Sequence, residues 1–115
     1  MAVTTQRGRI ASLRPTTTSE QQLYVVPAGT EMDAVLRICN QSAGVVTYQV
    51  AHCQAGHGDV AITNLANFIF YDKQLAANST DEVSIHAKAT EPVRVKIGTA
   101  DTISFHLSGN LRVTT

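Results

Sequence analysis

Tryptophan is absent from this sequence, aromatic residues make up only 5% and charged residues only 16%. Nucleic-acid binding needs a basic face interleaved with stacking rings. Three Phe and three Tyr at a net charge of zero do not supply one. No apolar run approaches the ~18 residues of a membrane-spanning helix, and Met1–Arg9 lacks the apolar centre of a signal peptide. The expectation is a chain that stays in the cytoplasm where it is made unless an assembly carries it out, with neither a membrane nor a nucleic-acid partner. Only two cysteines are present, Cys39 and Cys53, and both are read as reduced thiols. A hairpin turning at Ala43-Gly44 would set Cys39 opposite Tyr48 and Cys53 opposite Ala34, keeping the sulfurs apart.

Recognisable chemistry is equally scarce. Gly56-His57-Gly58 lacks both the lysine and the following helix of a phosphate-cradling loop. His52, Cys53, His57 and Asp59 fall within eight residues. Adjacent residues on a strand point to opposite faces, however, and no paired CxxC spacing accompanies them, so they read as residues of a loop rather than as ligands. Cys39 or Cys53 could pair with His86 or His106 only across regular strands, where both histidines have ordinary wet-face neighbours. No catalytic residue, no metal site and no cofactor is expected. At 115 residues the chain makes one domain. At that size somewhat above ~60% of the unfolded surface is buried, and little core is left to enclose a substrate. A surface so poor in charge suggests that part of it is covered by a partner.

What the sequence does contain is period-two alternation. The stretch Leu23–Asn40 joins two apolar runs across Pro27-Ala28-Gly29-Thr30 and reads as a hairpin. Ala34, Leu36 and Ile38 share one face; so do Val46, Tyr48 and Val50; Val83, Ile85 and Ala87; Val93, Val95 and Ile97; and Ile103, Phe105 and Leu107. Asn67–Tyr71 is apolar on both faces, which places it centrally in a sheet or beneath another chain. Turns are expected at Ala76–Thr80, Gly98–Asp101 and Ser108-Gly109-Asn110, with a single helical turn near Asn64–Asn67. Asn40-Gln41-Ser42 and Asn78-Ser79-Thr80 read as polar turns. About eight short strands with no sustained helical period imply an all-β, antiparallel, jelly-roll-like β-sandwich over residues 20–115.

Residues 1–19 read as an N-terminal arm, patternless at Met1–Thr5, with one edge strand near Arg7–Leu13 that ends at Pro15. Arg7, Arg9 and Arg14 precede the first acidic residue, Glu20, so the arm is locally basic. It is either a solvated tail or an arm that docks on an acidic neighbour. Arg94, Lys96 and Lys88 are expected to share a wet face.

The runs RIASLRP, LYVVPAGTEMDAVLRICNQS, NFIFYDKQLAANST and ISFHLSGNLRVTT together resemble a group of small β-sandwich structural proteins of tailed bacteriophage particles. The resemblance is carried by Tyr24, Val26, Pro27, Ala28, Gly29 and Thr30; by Cys39, Asn40 and Ser42; by Tyr71, Asp72, Leu75, Asn78 and Thr80; and by Ile103, Ser104, Phe105 and Gly109. It spans residues 8 to 114 and implies a non-enzymatic virion protein. The form implied is a homotrimeric capsid decoration or cement protein, partnered by copies of itself and by the major capsid protein or another virion protein. A tail, collar or fibre module that binds a host receptor or glycan is the alternative, with the loops Gln54–Asp59 and Gly98–Asp101 as its rim. Loose strand edges favour burial against copies of the chain. The partner-binding candidates are Arg7, Arg9, Ile10, Leu13, Arg14, Phe68, Phe70 and Tyr71.

Overall fold

The computed structural model describes residues 3–114, so the expectation for Met1 and Ala2 lies outside the described residues. Eight strands form: β1 (Val3–Leu13), β2 (Gln21–Val25), β3 (Thr30–Asn40), β4 (Val46–His52), β5 (Phe68–Leu75), β6 (Thr80–Ala87), β7 (Pro92–Ile97) and β8 (Ile103–Thr114). They make two four-stranded antiparallel sheets, sheet A in the order β1-β8-β3-β6 and sheet B in the order β2-β7-β4-β5. This is the two-sheet strand order of a jelly roll. Only β4 and β5 follow one another within a sheet, so six of the seven connections cross from one sheet to the other.

That wiring corrects the hairpin reading of Leu23–Asn40. β2 pairs with β7, while β3 pairs with β6 and β8, so the two apolar runs belong to different sheets instead of sharing hydrogen bonds. The turn between them is as expected in itself: the Thr30 amide donates to the Pro27 carbonyl at 3.2 Å, and Gly29 has φ 71°, which glycine adopts without Cβ strain. The β3–β4 connection likewise changes sheets, which overturns the cross-strand partners inferred for the cysteines; both thiols are free, with Cys39 half-buried and Cys53 buried. β5 lies at the edge of sheet B and not at its centre.

Alternation builds the core as the residue types dictate. Met32, Ala34, Leu36 and Ile38 of β3 and Ile103, Phe105 and Leu107 of β8 are buried from sheet A. Val46, Tyr48 and Val50 of β4 and Val93, Val95 and Ile97 of β7 meet them from sheet B. Each Val, Leu, Ile, Met or Phe among them contributes about 1.5–3 kcal/mol by leaving water.

The turn expected at Ser108-Gly109-Asn110 does not form, because β8 runs straight through it to Thr114. Gly109 is opposite Gly8 on β1 and Ala34 on β3, with φ 155°. A Cβ there would lie 2.6 Å from the Ala34 Cα and against the Asp33 carbonyl oxygen. The glycine thus lets three backbones pass closely rather than reversing the chain. β1 extends further than Arg7–Leu13: it is 11 residues long and pairs with β8 through a bulge between Arg9 and Ala11. A single 3₁₀ turn forms at Leu65–Asn67, with the Asn64 side chain accepting from the Ala66 amide.

Two polar contacts tie the sheets together. Asn40 is fully buried, and its amide nitrogen donates to the carbonyls of Gly44 (2.8 Å), Leu75 (3.0 Å) and Ala76 (3.2 Å). Its carbonyl oxygen accepts from the Ser42 backbone amide and hydroxyl. It is therefore a bracket between the β3–β4 and β5–β6 connections, a role beyond the polar turn expected. Asn78 does take a left-handed turn conformation, at φ 56°.

On the β5/β6 side, Asp81 of sheet A accepts from the Tyr48 hydroxyl at 2.6 Å and the Lys73 ammonium at 2.9 Å, both from sheet B. Burial alone would raise the Asp81 carboxyl, but these hydrogen bonds outweigh it and hold the group below its ordinary 3.8. Burial, followed by the bond to Asp81, pushes the Tyr48 hydroxyl far up.

Replacing Asn40 by Ala takes one hydrogen bond from each of three carbonyls and from the Ser42 amide, although Gly44 and Ala76 keep a second donor in Ser42 and Ser79. It should lower the urea-unfolding free energy by about 3 kcal/mol; Asn40→Asp, which sets a carboxylate against the same carbonyls, should cost more. Because Asp81 titrates lower in the folded chain than in the unfolded one, its contribution is complete above the ordinary value of 3.8 and is lost as pH falls through the lowered value. Unfolding free energies measured through that acid range should fall less steeply for Asp81→Asn than for the parent chain.

Candidate interaction surfaces

The residues singled out from the sequence separate onto two sides of the sandwich. On β1, Arg7 and Arg9 are exposed and stand opposite Asn110 and Ser108 of β8, on the face of sheet A turned away from the core. Ile10 and Leu13 instead pack inward against that core. Arg14 is held by its own molecule, donating to the Gln41 side chain at 2.8 Å and to the Asp101 carbonyl. Of the five arm residues, only Arg7 and Arg9 therefore remain presented to a neighbour.

The aromatic candidates divide in the same way. Phe70 turns inward, its ring edge-on to Tyr48 at 5.4 Å and beneath the Lys73 ammonium at 4.9 Å. Phe68 stands opposite Ala51 on the outer face of sheet B and stacks edge-on with Tyr71 at 5.0 Å. Exposed apolar side chains recur through the same stretch of chain: Val60 (57% exposed), Leu65 (66%), Ile69 (39%) and Tyr71 (57%). Four of the six large hydrophobic residues exposed in the described chain fall within Val60–Tyr71. Ile69 belongs to the run Asn67–Tyr71 that the sequence marks as apolar on both faces, whereas Val60 and Leu65 escaped because no periodicity marks a loop; an apolar residue recurring in the connection was the available signal.

The loop that carries this patch is held down by charge. Arg94 of β7 is only 5% exposed, with its Nε at 2.8 Å from Glu20 and its Nη1 at 2.6 Å from Asp59. Glu20 also accepts from the Ile62 amide at 3.3 Å. Arg94 thus does not share a wet face with Lys96: it fastens both the β1–β2 connector and the β4–β5 loop to sheet B. Burial would lower its pKa, but the hydrogen bonds it donates to Asp59 and Glu20 dominate and raise it, so it stays charged. Ala51, which stands opposite Arg94, and Cys53 are buried on what alternation marks as an outer face. Burial in turn raises the Cys53 thiol, leaving it little nucleophilic thiolate.

The residues of the His-Cys loop find separate partners. His52 meets Glu91 at 2.9 Å, His57 meets the Val60 carbonyl at 2.9 Å, and Asp59 goes to Arg94. Among the described residues no group of His, Cys, Asp and Glu converges to hold a metal. The loops Gln54–Asp59 and Gly98–Asp101 follow opposite ends of the antiparallel pair β4 and β7, so they cannot form one binding rim. An open polar groove of about 310 Å³ does run over sheet B, lined by Thr18, Thr47, Gln49, Asp72 and Lys96.

No model of a protein family matches the sequence, and no curated protein matches it. The fold is similar to that of a chain from the disulfide-linked pili of Bacillus endospore appendages, with TM-score 0.55 and 15% identity over 97% of this chain and 88% of that one. It is also similar to part of a chain of infectious bursal disease virus, Gx strain, with TM-score 0.50 and 15% identity over 97% of this chain and 32% of that one. At such identities the likeness is one of fold.

Arg94→Met removes the buried cation and leaves Glu20 and Asp59 without their partner. It should lower stability by about 3 kcal/mol and speed hydrogen exchange and proteolysis in the 54–64 loop, while Arg94→Lys, which cannot reach both carboxylates in one plane, should fall between.

Proposed function

We propose that this chain is a non-enzymatic structural protein of a bacteriophage particle, a homotrimeric capsid decoration or cement protein. The observation that carries this reading is the run of exposed apolar side chains Val60, Leu65, Ile69 and Tyr71, which spans the β4–β5 connection and the start of β5 and whose loop part is fastened at Asp59 by Arg94 and at the Ile62 amide by Glu20. Apolar side chains exposed close together in the chain and kept in a fixed shape suit a standing protein contact. The run faces away from the chain's own core, and it belongs to a surface with little charge to desolvate on docking. We assign it to the shell, the major capsid protein or another virion protein being the partner. The jelly-roll fold, the arrangement of the histidines and cysteines, and the raised Cys53 thiol accord with a role that involves no catalysis.

The second reading, a tail, collar or fibre module that takes a host glycan, draws on the groove beside Thr47, Gln49 and Asp72. Hydroxyl, amide and carboxylate groups along an open channel suit a sugar's hydroxyls. The groove has no exposed aromatic ring among its lining residues to stack on a sugar face, and the first reading is therefore preferred.

Copy number in purified particles separates the two. A decoration protein should be present at many copies per shell, with occupancy falling at least tenfold for the Leu65→Glu/Tyr71→Glu variant. A few copies per particle would favour the tail module, and absence from particles would remove both readings.

A further inference from the structure

Sheet A has two open edges, β1 and β6, and they differ in charge. β1 carries Arg7 and Arg9 and no acidic residue, and β6 carries Asp81 and Glu82 and no Lys or Arg. The other four arginines, Arg14, Arg37, Arg94 and Arg112, all have carboxylate partners within the chain, whereas Arg7 and Arg9 have none among the described residues; on β6, Asp81 is taken by Lys73, and Glu82, which meets Arg37 at 3.0 Å, is exposed and has a second carboxylate oxygen to offer a neighbouring arginine.

We infer that β1 of one copy of this chain pairs with β6 of the next, head to tail, extending sheet A across subunits. Direction, register and charge each carry the inference. Successive strands of sheet A are all antiparallel, so β1 and β6 of one copy run in opposite senses. A second copy set beside the first in the same orientation therefore brings β1 antiparallel to β6 with no inversion of the molecule. Placing Arg9 opposite Glu82 then covers β6 along its length: Arg7 meets Ser84 and Thr5 meets His86 on the outer face, while Gly8, Gln6 and Thr4 meet Val83, Ile85 and Ala87 on the inner one. The bulge after Arg9 keeps the parity, bringing Ala11 to Asp81 and Ser12 to Thr80. Eight paired residues span about 26 Å of edge, and opposite charges directly across strands attract while like charges repel.

The same charges disfavour the two-fold alternatives. β1 against β1 sets Arg7 and Arg9 against themselves, and β6 against β6 does so with Glu82, so the edges pair with each other in preference to themselves. A head-to-tail contact is heterologous: it closes into a ring of three when successive copies differ by a third of a turn, and otherwise runs on as a fibre.

The inference rests on the self-association in the reading above, but not on the phage setting. The test is sedimentation of the full chain over a wide concentration range, with the variants Arg9→Glu, Glu82→Arg and the two combined in one chain. Both residues are exposed, and circular dichroism checks that each variant is folded. The parent should associate, each single reversal should weaken association about tenfold, and the double reversal should restore it. A parent that stays monomeric, single reversals without effect, or a double variant no better than the singles would each overturn the inference. If these variants behave as expected but the parent is absent from particles, the virion reading fails alone. If the protein decorates shells while the reversals leave association unchanged, the edge pairing fails alone.

Discussion

The carboxamide of Asn40 sits where β3 leaves sheet A, and carbonyls from two different connections converge on its nitrogen while Ser42 bonds its oxygen. Two four-stranded sheets joined almost entirely by crossings have few ways to hold those crossings in place, since a buried connection must find a partner for every carbonyl. Asn has two donors and an acceptor on one short, rigid group, which is what this junction uses. With the β3–β4 and β5–β6 connections bracketed, β3 enters the sandwich at a fixed depth. Its alternation then places Ile38, Leu36, Ala34 and Met32 in the core, and Asp81 closes the same side through Tyr48 and Lys73.

A second polar device shapes the surface. Arg94 has Glu20 on one side and Asp59 on the other, and the loop it holds covers part of sheet B while lifting Val60 and Leu65 into solvent. Without the ion pairs that loop would be free to fold its apolar residues against the nearest dry surface. The cost of burying a cation is thus set against a fixed presentation of apolar side chains. Recognition surfaces built this way lose little entropy on contact, because they are already ordered.

The strand edges belong to the same physical account. A sheet that ends in an unpaired strand presents a row of free amides and carbonyls, and here those rows are labelled by charge: arginine on β1, carboxylate on β6. The arginines of β1 have no carboxylate partner among the described residues, while on β6 Asp81 is engaged with Tyr48 and Lys73 and Glu82 pairs with Arg37 yet stays exposed. Charge left over after folding is available for specificity between molecules.

Alternation made the strands and the buried side of β3, β4, β7 and β8 readable in the chain itself, because side-chain direction in a strand has a period of two regardless of its neighbours. Turn chemistry was readable too at Gly29 and Asn78, where the backbone conformation is a local matter. Which strand lies beside which was not: Leu23–Asn40 has the local form of a hairpin, yet its halves belong to different sheets, since a turn residue dictates a change of direction and not the hydrogen-bonding partner that follows. Gly109 looked like a turn because its reason, the close passage of Asp33 and Ala34, comes from 75 residues earlier in the chain. Arg94 looked like a solvent-facing charge because Glu20 and Asp59 reach it only through folding. The sequence by itself thus determined the strands, their dry faces and the all-β class; the pairing order, the buried ion pairs and the exposed surfaces were decided by tertiary structure, where contacts distant in the chain outweigh local preference.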